Sequence, residues 1–199
     1  ELNHIKNQDK NKVEKLRPTR LKKDQERLAI NLRWKYWQIE GNTYSLLETE
    51  LLLKEQQTAK GKTKDEATML LNHKAALDFI IVNPDYIKPL NISAIEDIHA
   101  LLIEGLKVTR NIRNHRVGIS GTNYLPLDNE FQIREALEDM CATINEQENV
   151  FTKALLALVL LSYIQPFTDG NKRTARIVSN AILINNNYCP SSFRTVDSM

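Results

Sequence analysis

Residues 165–176 have the sequence QPFTDGNKRTAR, and they place an acid, a glycine, an amide and three cations in one short segment. Two apolar segments, residues 155–164 and 177–184, flank it, and both have the composition of helices. Residues 154–164 form the longest apolar run of the chain, so the helix before the segment is expected to be buried on all sides at the centre of the domain. The charged segment is therefore interpreted as a loop between buried helices.

The order of residues in this loop is typical of an anion site. Gly170 lets the backbone approach a ligand, and Asn171 begins a helix whose free N–H groups and dipole favour a phosphate. Arg173 and Arg176 lie three residues apart, so they project from neighbouring positions of one helical face, and Lys172 adds a third cation. The sequence therefore predicts a phosphate-binding loop.

The carboxylate of Asp169 would repel a bare phosphate. It fits the site if Mg2+ lies between the carboxylate and the phosphates, because Mg2+ is usually held by one or two carboxylates plus substrate oxygens. The alternative interpretation is a solvated turn, in which Asp169 caps the next helix and the cations cover an exposed surface.

Composition limits the class of protein. A chain of 199 residues is long enough for one domain with a single sizeable core. Its apolar fraction of 42% and charged fraction of 26% are those of a soluble globular protein. A net charge of +2 is too small to favour a nucleic-acid or membrane surface, so neither partner is expected.

The expected compartment is the cytoplasm. The longest apolar run is too short to span a bilayer, and no segment resembles a signal peptide. Cys141 and Cys189 lack the spacing of metal ligands and are expected to be free thiols in a reducing environment. The sequence leaves the oligomeric state open, including a homo-oligomer.

Helical periodicity divides the chain into three parts. Residues 1–17 are polar and Lys-rich and are expected to form a flexible N-terminus. Residues 18–62 are predicted to form N-terminal helices, and residues 63–199 a helical core. The predicted core helices begin near Asp65, Ser93 (a capping box with Glu96), Asp128, Phe151 and Asn171.

Residues 115–126 interrupt the helical pattern. They alternate β-branched or aromatic residues with glycine and polar residues, which predicts a small β-hairpin or flap. Two short strands cannot form a core sheet. The predicted fold is therefore an all-α helical bundle with a minor hairpin.

The loop resembles the signature of the Fic (filamentation induced by cAMP) family, His-Pro-Phe-x-Asp/Glu-Gly-Asn-Gly/Lys-Arg-x-x-Arg. Every position of residues 165–176 agrees except the first, where Gln165 replaces the histidine. Residues 119–126 resemble the family's flap, Ile112-Arg113 the segment that leads into it, and Ile98-His99 the family's Leu-His helix, in which His99 is interpreted as a packed structural residue. The resemblance covers about residues 35–195 and implies a Fic-like helical bundle.

The resemblance implies a protein adenylyltransferase, which transfers AMP from ATP to a Ser, Thr or Tyr hydroxyl of a target protein and releases pyrophosphate. By position, Asp169 would hold Mg2+, Gly170 and Asn171 would contact the α-phosphate, and Arg173 and Arg176 would neutralise the outer phosphates. The flap residues that would align the target are Ile119, Gly121, Thr122 and Tyr124.

The lysine found here at position 172 also occurs at this motif position in the related Doc branch, where phosphate is transferred to a translation factor. That branch usually has Ala where this chain has Gly170. The resemblance therefore favours AMP transfer, with Lys172 among the nucleotide-binding residues.

Glu40 is the candidate inhibitory residue. In many Fic proteins a helix ending in Ser/Thr-x-x-x-Glu-Gly/Asn folds over the ATP site, and its glutamate pairs with the second motif arginine in place of the γ-phosphate. Residues 39–42 resemble the end of that helix, although Tyr36 stands where the pattern has Ser or Thr. The resemblance implies autoinhibition, with Arg176 as the partner of Glu40.

Gln165 stands at the position of the catalytic base. In the family the histidine accepts the proton of the incoming hydroxyl, whereas a glutamine amide has no such basicity. The expected loss of rate is about 10²–10⁴-fold. Three functions stay open: an impaired, autoinhibited AMP transferase, a non-catalytic ATP-binding regulatory or interaction module, and, as a weaker alternative, removal of AMP from a modified protein.

Overall fold

The structure is a computed structural model that describes residues 48–49, 51–52, 58–119 and 121–190. Every regular element in these ranges is helical, which confirms the predicted all-α fold. The α-helices are α1 (Lys64–Val82), α2 (Ile92–Ile103), α3 (Glu130–Glu146), α4 (Val150–Ile164) and α5 (Asn171–Asn185), with a 3-10 turn at Pro84–Ile87 after α1. The predicted flexible N-terminus, residues 1–17, and most of the predicted N-terminal helices lie outside the described residues.

The helix starts are set by side chains that satisfy free N–H groups of the first turn. Thr63 and Glu66 form a capping box at the start of α1. The predicted cap at Ser93 is wrong, because the side chain of Asn91 accepts the Ala94 N–H at 2.9 Å and α2 begins earlier.

The cap predicted at Asp128 is also wrong. The carboxylate of Asp128 accepts a hydrogen bond from Arg116 Nε at 2.8 Å, and the side chain of Asn129 caps α3 instead. The Asp128 carboxylate thus forms a salt bridge with Arg116 of the preceding segment and does not cap α3.

The core lies around the α4–α5 pair, which has the most extensive interface among the described helices. Helix α3 packs on α4, and α1 and α2 pack on each other and on α5. Fully buried residues of this core include Ile98, Leu137, Leu161, Phe167 and Val178. Each such side chain contributes about 1.5–3 kcal/mol of burial free energy, so the helices on both sides of the 165–170 loop are firmly anchored.

The prediction that α4 is buried on all sides is wrong. Leu155, Val159 and Tyr163 are 55%, 51% and 56% exposed. These residues are four apart and form one stripe, while Ala157 and Leu161 lie in the core. Among the described helices, α3 and α5 pack most extensively on the other sides of α4, and its apolar composition did not reveal which side is exposed.

The predicted β-hairpin is not formed by the described part of the flap, which we define as residues 115–126. The Thr122 N–H donates to Ile119 O at 3.3 Å, and the Tyr124 N–H donates to Thr122 Oγ1 at 3.0 Å. These local bonds make a turn, with Gly121 at a φ of 82°, and they leave no strand ladder between its two arms.

Both cysteines are free, Cys141 buried and Cys189 exposed, as expected. Across residues 58–119 and 121–190, no helix is long and apolar enough to cross a bilayer.

Candidate functional site

Gln165 ends α4 in the left-handed conformation, with φ 51° and ψ 58°. Its N–H donates to Leu161 O at 3.1 Å, and its side-chain Nε2 donates to Ser162 O at 2.6 Å. The residue is 8% exposed. The amide nitrogen therefore bonds to the last turn of α4, and the chain reverses direction at this residue.

Arg113 lies beneath this reversal and is 2% exposed. Its Nε donates to Gln165 O at 2.6 Å, its Nη2 to Ile164 O at 3.4 Å and its backbone N–H to Pro166 O at 2.9 Å. Burial lowers the pKa of the guanidinium from its usual value. A cation at the C-terminal end of a helix also interacts favourably with the helix dipole.

The importance of Arg113 was missed by the sequence reasoning, which noted it only as part of the segment leading into the flap. A lone arginine 52 positions before the loop carries no local signal of this contact. The three carbonyls that it binds follow one another along the chain, from Ile164 to Pro166.

Asn171 closes the loop from the other end. Its Nδ2 donates to Phe167 O at 2.7 Å, and the Phe167 N–H donates to Asn171 Oδ1 at 2.8 Å. Both residues are buried. The side chain of Asn171 thus holds the loop, so any ligand contact by this residue falls to its backbone N–H, one of the first N–H groups of α5, which have no acceptor within the helix.

His99 supports the loop from α2, as the interpretation of a packed histidine expects. Its ring stacks on that of Phe167 with a centroid distance of 3.6 Å and an interplanar angle of 2°. Its Nε2 lies 3.0 Å from Asp169 O; since a carbonyl oxygen only accepts, the Nε2–H donates. Burial is the largest cause that lowers the pKa of His99, which favours the neutral imidazole.

Gly170 precedes α5 with a φ of 81°, and no side chain caps this helix. A Cβ at this position would lie 3.4 Å from His99 Cδ2, and an L side chain would be strained at this φ. The Thr174 N–H and Oγ1 donate to Gly170 O at 2.8 and 3.0 Å. Among the described residues, no side chain therefore satisfies the first N–H groups of α5, and such groups favour an anion.

The charged residues of the loop lie together at this helix end. Arg173 Nη2 is 2.9 Å from Asp169 Oδ2, and the arginine side chain is 8% exposed whereas the aspartate is 60% exposed. Lys172 is exposed, and Arg176 is partly buried one turn beyond Lys172. The structure thus brings the predicted phosphate-binding residue Arg173 into contact with the candidate metal ligand Asp169, and Lys172 and Arg176 lie on the first two turns of the same helix.

The site fits Mg2+ through one carboxylate. Asp169 is accessible, and its oxygens are hard ligands of the kind that Mg2+ prefers. Among the described residues, no group of three or more His, Cys, Asp or Glu side chains could hold a metal ion. A magnesium ion here would take its remaining ligands from phosphate and water, as Mg2+ usually does.

The flap contacts α4 beside the loop. The ring of Tyr124 stacks on that of Tyr163 with a centroid distance of 4.2 Å and an angle of 26°. Burial, followed by hydrogen bonding to Tyr163, raises the pKa of Tyr124 to about 12, so this hydroxyl stays protonated at neutral pH. The predicted flap residues Ile119, Gly121 and Thr122 form the turn that precedes this contact.

We expect Tyr163→Ala to loosen the flap, because an aromatic pair contributes about 0.5–1.5 kcal/mol beyond its buried area. Amide hydrogen exchange of residues 121–126 should become about 2- to 10-fold faster. Leu155→Ala is the matched control, since it removes another exposed side chain of the same helix stripe. Equal exchange rates in the two variants would show that the stack does not hold the flap.

The candidate inhibitory residue Glu40 lies outside the described residues, and so does its predicted pairing with Arg176.

Comparison with known proteins identifies the domain. Residues 89–183 match the model of the Fic/DOC family. Over 159 residues the chain is 26% identical to protein adenylyltransferase fic-1 of Caenorhabditis elegans, covering 76% of this chain and 31% of that protein. Over 163 residues it is 30% identical to protein adenylyltransferase Fic of Drosophila willistoni, with the same two coverages of 76% and 31%. The chain thus spans about a third of the length of these relatives.

The fold gives the same assignment. The structure of a Fic domain containing signaling protein from Bacteroides thetaiotaomicron superimposes with a TM-score of 0.79 at 22% identity, covering 92% of this chain and 72% of that one. The helical bundle is thus shared with that protein, and the loop at residues 165–176 falls inside the matched family segment. From its matching segment, its relatives and its fold, this chain is a Fic-domain protein.

Proposed function

We propose that this domain binds ATP with Mg2+ and is the catalytic domain of a protein adenylyltransferase, whose present sequence is impaired at the position of the base. The observation that carries the proposal is the uncapped N-terminus of α5, preceded by Gly170 and flanked by the accessible carboxylate of Asp169. The relatives described above are named protein adenylyltransferases, which supports AMP transfer as the reaction class.

The reaction would place the phosphates of ATP against the first N–H groups of α5 and the side chains of Lys172, Arg173 and Arg176. Asp169 would hold Mg2+, which would neutralise charge on the phosphate oxygens. A Ser, Thr or Tyr oxygen of the target protein would form a bond to the α-phosphorus. The bond from that phosphorus to the bridging oxygen would break, and pyrophosphate would leave with the electron pair.

The proton of the incoming hydroxyl needs an acceptor in this reaction. The Gln165 amide cannot accept it, and its Nε2 is already bonded to Ser162 O at 2.6 Å. This observation favours a second candidate function, a non-catalytic ATP-binding regulatory or interaction module. The two candidates share the phosphate site and differ only in chemistry at position 165.

Control of the site is proposed through Glu40. Its sequence context supports a carboxylate that pairs with Arg176 and thereby excludes the γ-phosphate from a productive position. ATP would then bind most tightly in a chain that lacks this carboxylate.

We expect the Glu40→Gly variant to bind ATP with Mg2+ in calorimetry, because the proposed phosphate contacts do not involve Gln165. Adding Arg173→Ala should weaken binding about 10- to 100-fold, since a charge-assisted hydrogen bond contributes about 1.5–3 kcal/mol. EDTA should weaken it as well. Arg116→Ala, which removes an exposed arginine of the flap, is the matched control.

The anion-site proposal fails if the Glu40→Gly variant does not bind ATP. It also fails if Arg173→Ala and Arg116→Ala have the same small effect.

A further inference from the structure

We propose that Arg113 is a positioning residue that holds residue 165 in the left-handed conformation and links it to the flap. The catalytic consequence of this inference rests on the proposed AMP transfer, whereas its structural core does not.

Arg113 forms hydrogen bonds with three successive backbone carbonyls. One residue, Arg113, donates to the carbonyls of Ile164, Gln165 and Pro166 in succession. The last carbonyls of a helix have no N–H donor within the helix, so a buried one needs a donor from elsewhere. Because all three bonds come from a single side chain and its own N–H, the path of the chain across residue 165 is fixed by Arg113.

The backbone at position 165 has an unfavourable conformation. A φ of 51° is disfavoured for any residue with a Cβ, and glutamine has no short polar side chain of the kind that makes this region more accessible to Asn or Asp. The surrounding structure must therefore hold the residue there. The shortest bond of Arg113, from Nε to Gln165 O at 2.6 Å, is made to this residue.

Arg113 is a buried charged residue. A guanidinium that is 2% exposed is costly to desolvate, and an apolar side chain of similar length would fill the same space without that cost. The recorded partners of this guanidinium are backbone carbonyls. The position thus uses an arginine for its donors and their fixed geometry.

The same side chain reaches the flap. Arg113 Nη1 donates to His115 O at 2.7 Å, at the first residue of the flap. The Arg113 guanidinium therefore bonds both to His115, the first residue of the flap, and to Gln165, the first residue of the motif. In the proposed reaction, residue 165 is the position of the base and the flap aligns the target, so Arg113 would act on the reaction through residue 165 and the flap.

A double-mutant cycle tests the structural core. We expect Arg113→Met to lower the urea midpoint of unfolding, and Gln165→Gly to recover at least half of that shift, because glycine adopts the left-handed conformation without strain. Asn187→Gly is the matched control: Asn187 also has a positive φ, 61°, but the contacts of Arg113 do not include it. It should shift the midpoint by the same amount with and without Arg113→Met.

The inference is overturned if the Arg113→Met and Gln165→Gly shifts are additive, or if Asn187→Gly is coupled to Arg113→Met as strongly as Gln165→Gly is. Should Arg113→Met not fold, Arg113→Lys serves in the same cycle, since lysine keeps the charge but loses the fork of donors.

A kinetic measurement tests the consequence in the Glu40→Gly/Gln165→His background. Arg113→Lys should lower kcat for AMP transfer at least tenfold while the KM for ATP stays within twofold, because the phosphate contacts lie elsewhere. Parallel changes in kcat and KM, or no change in either, would contradict a positioning role. A background variant without transfer would instead contradict the proposed function, and the stability cycle alone would then decide the inference.

Discussion

The Glu40→Gly/Gln165→His double variant should transfer AMP at least about 10²-fold faster than either single variant, because each single change leaves one defect in place. Gln165→His alone would supply a base while Glu40 still keeps ATP in an unproductive position. Glu40→Gly alone would bind ATP better and lack the base. The effects of the two changes are therefore expected to be far from additive.

Labelling from radioactive ATP, with the protein itself and with a cell lysate as acceptors, measures this result. Glu40→Gly/Gln165→Asn is the matched control, since it changes the same two positions without adding a base. If the double variant binds ATP normally and labels nothing, the non-catalytic module becomes the better proposal. Strong labelling by the unmodified chain would show that Gln165 does not impair the reaction.

Asn171→Ala should destabilise the domain by about 2–6 kcal/mol, the cost of leaving two buried backbone groups without partners at about 1–3 kcal/mol each. Those groups are the N–H and the carbonyl of Phe167, which both bond to the Asn171 amide. Asn171→Asp should have a smaller effect, because its carboxylate still accepts the Phe167 N–H but cannot donate to the carbonyl.

Urea denaturation of the three proteins measures this effect. Lys172→Ala is the matched control, since Lys172 is the next residue and is exposed, and such surface changes usually stay within about 0.5 kcal/mol. An Asn171→Ala effect as small as that of Lys172→Ala would mean that the amide does not stabilise the loop.

Local signals in the sequence predicted the helices well. Helix α5 begins and ends as expected, at Asn171 and Asn185, because a glycine precedes it and a polar run follows it. Charge density and spacing led to the prediction of a phosphate-binding loop, which stays a prediction, and the resemblance to the Fic family is confirmed by the family match. These features depend on residues that are close together in the chain.

The missed features depend on contacts between distant residues. The contact of His99 with Asp169 joins positions 70 apart, and that of Arg113 with Gln165 joins positions 52 apart. The exposure of Leu155 and Val159 depends on which neighbours reach α4, and composition does not contain that information. The described residues of the flap show no strand ladder, and such a ladder forms only where the geometry brings two arms together.

The support of the loop from α2 and from the segment before the flap limits how this site could be transplanted. Grafting residues 165–176 between two helices of another protein would carry over the charges and the Asn171 clamp. It would leave behind the His99 imidazole, which donates to Asp169 O, and the Arg113 guanidinium beneath the C-terminal end of α4. A design that transfers the proposed phosphate site must therefore include three separate segments of chain, around positions 99, 113 and 165–176, as one unit.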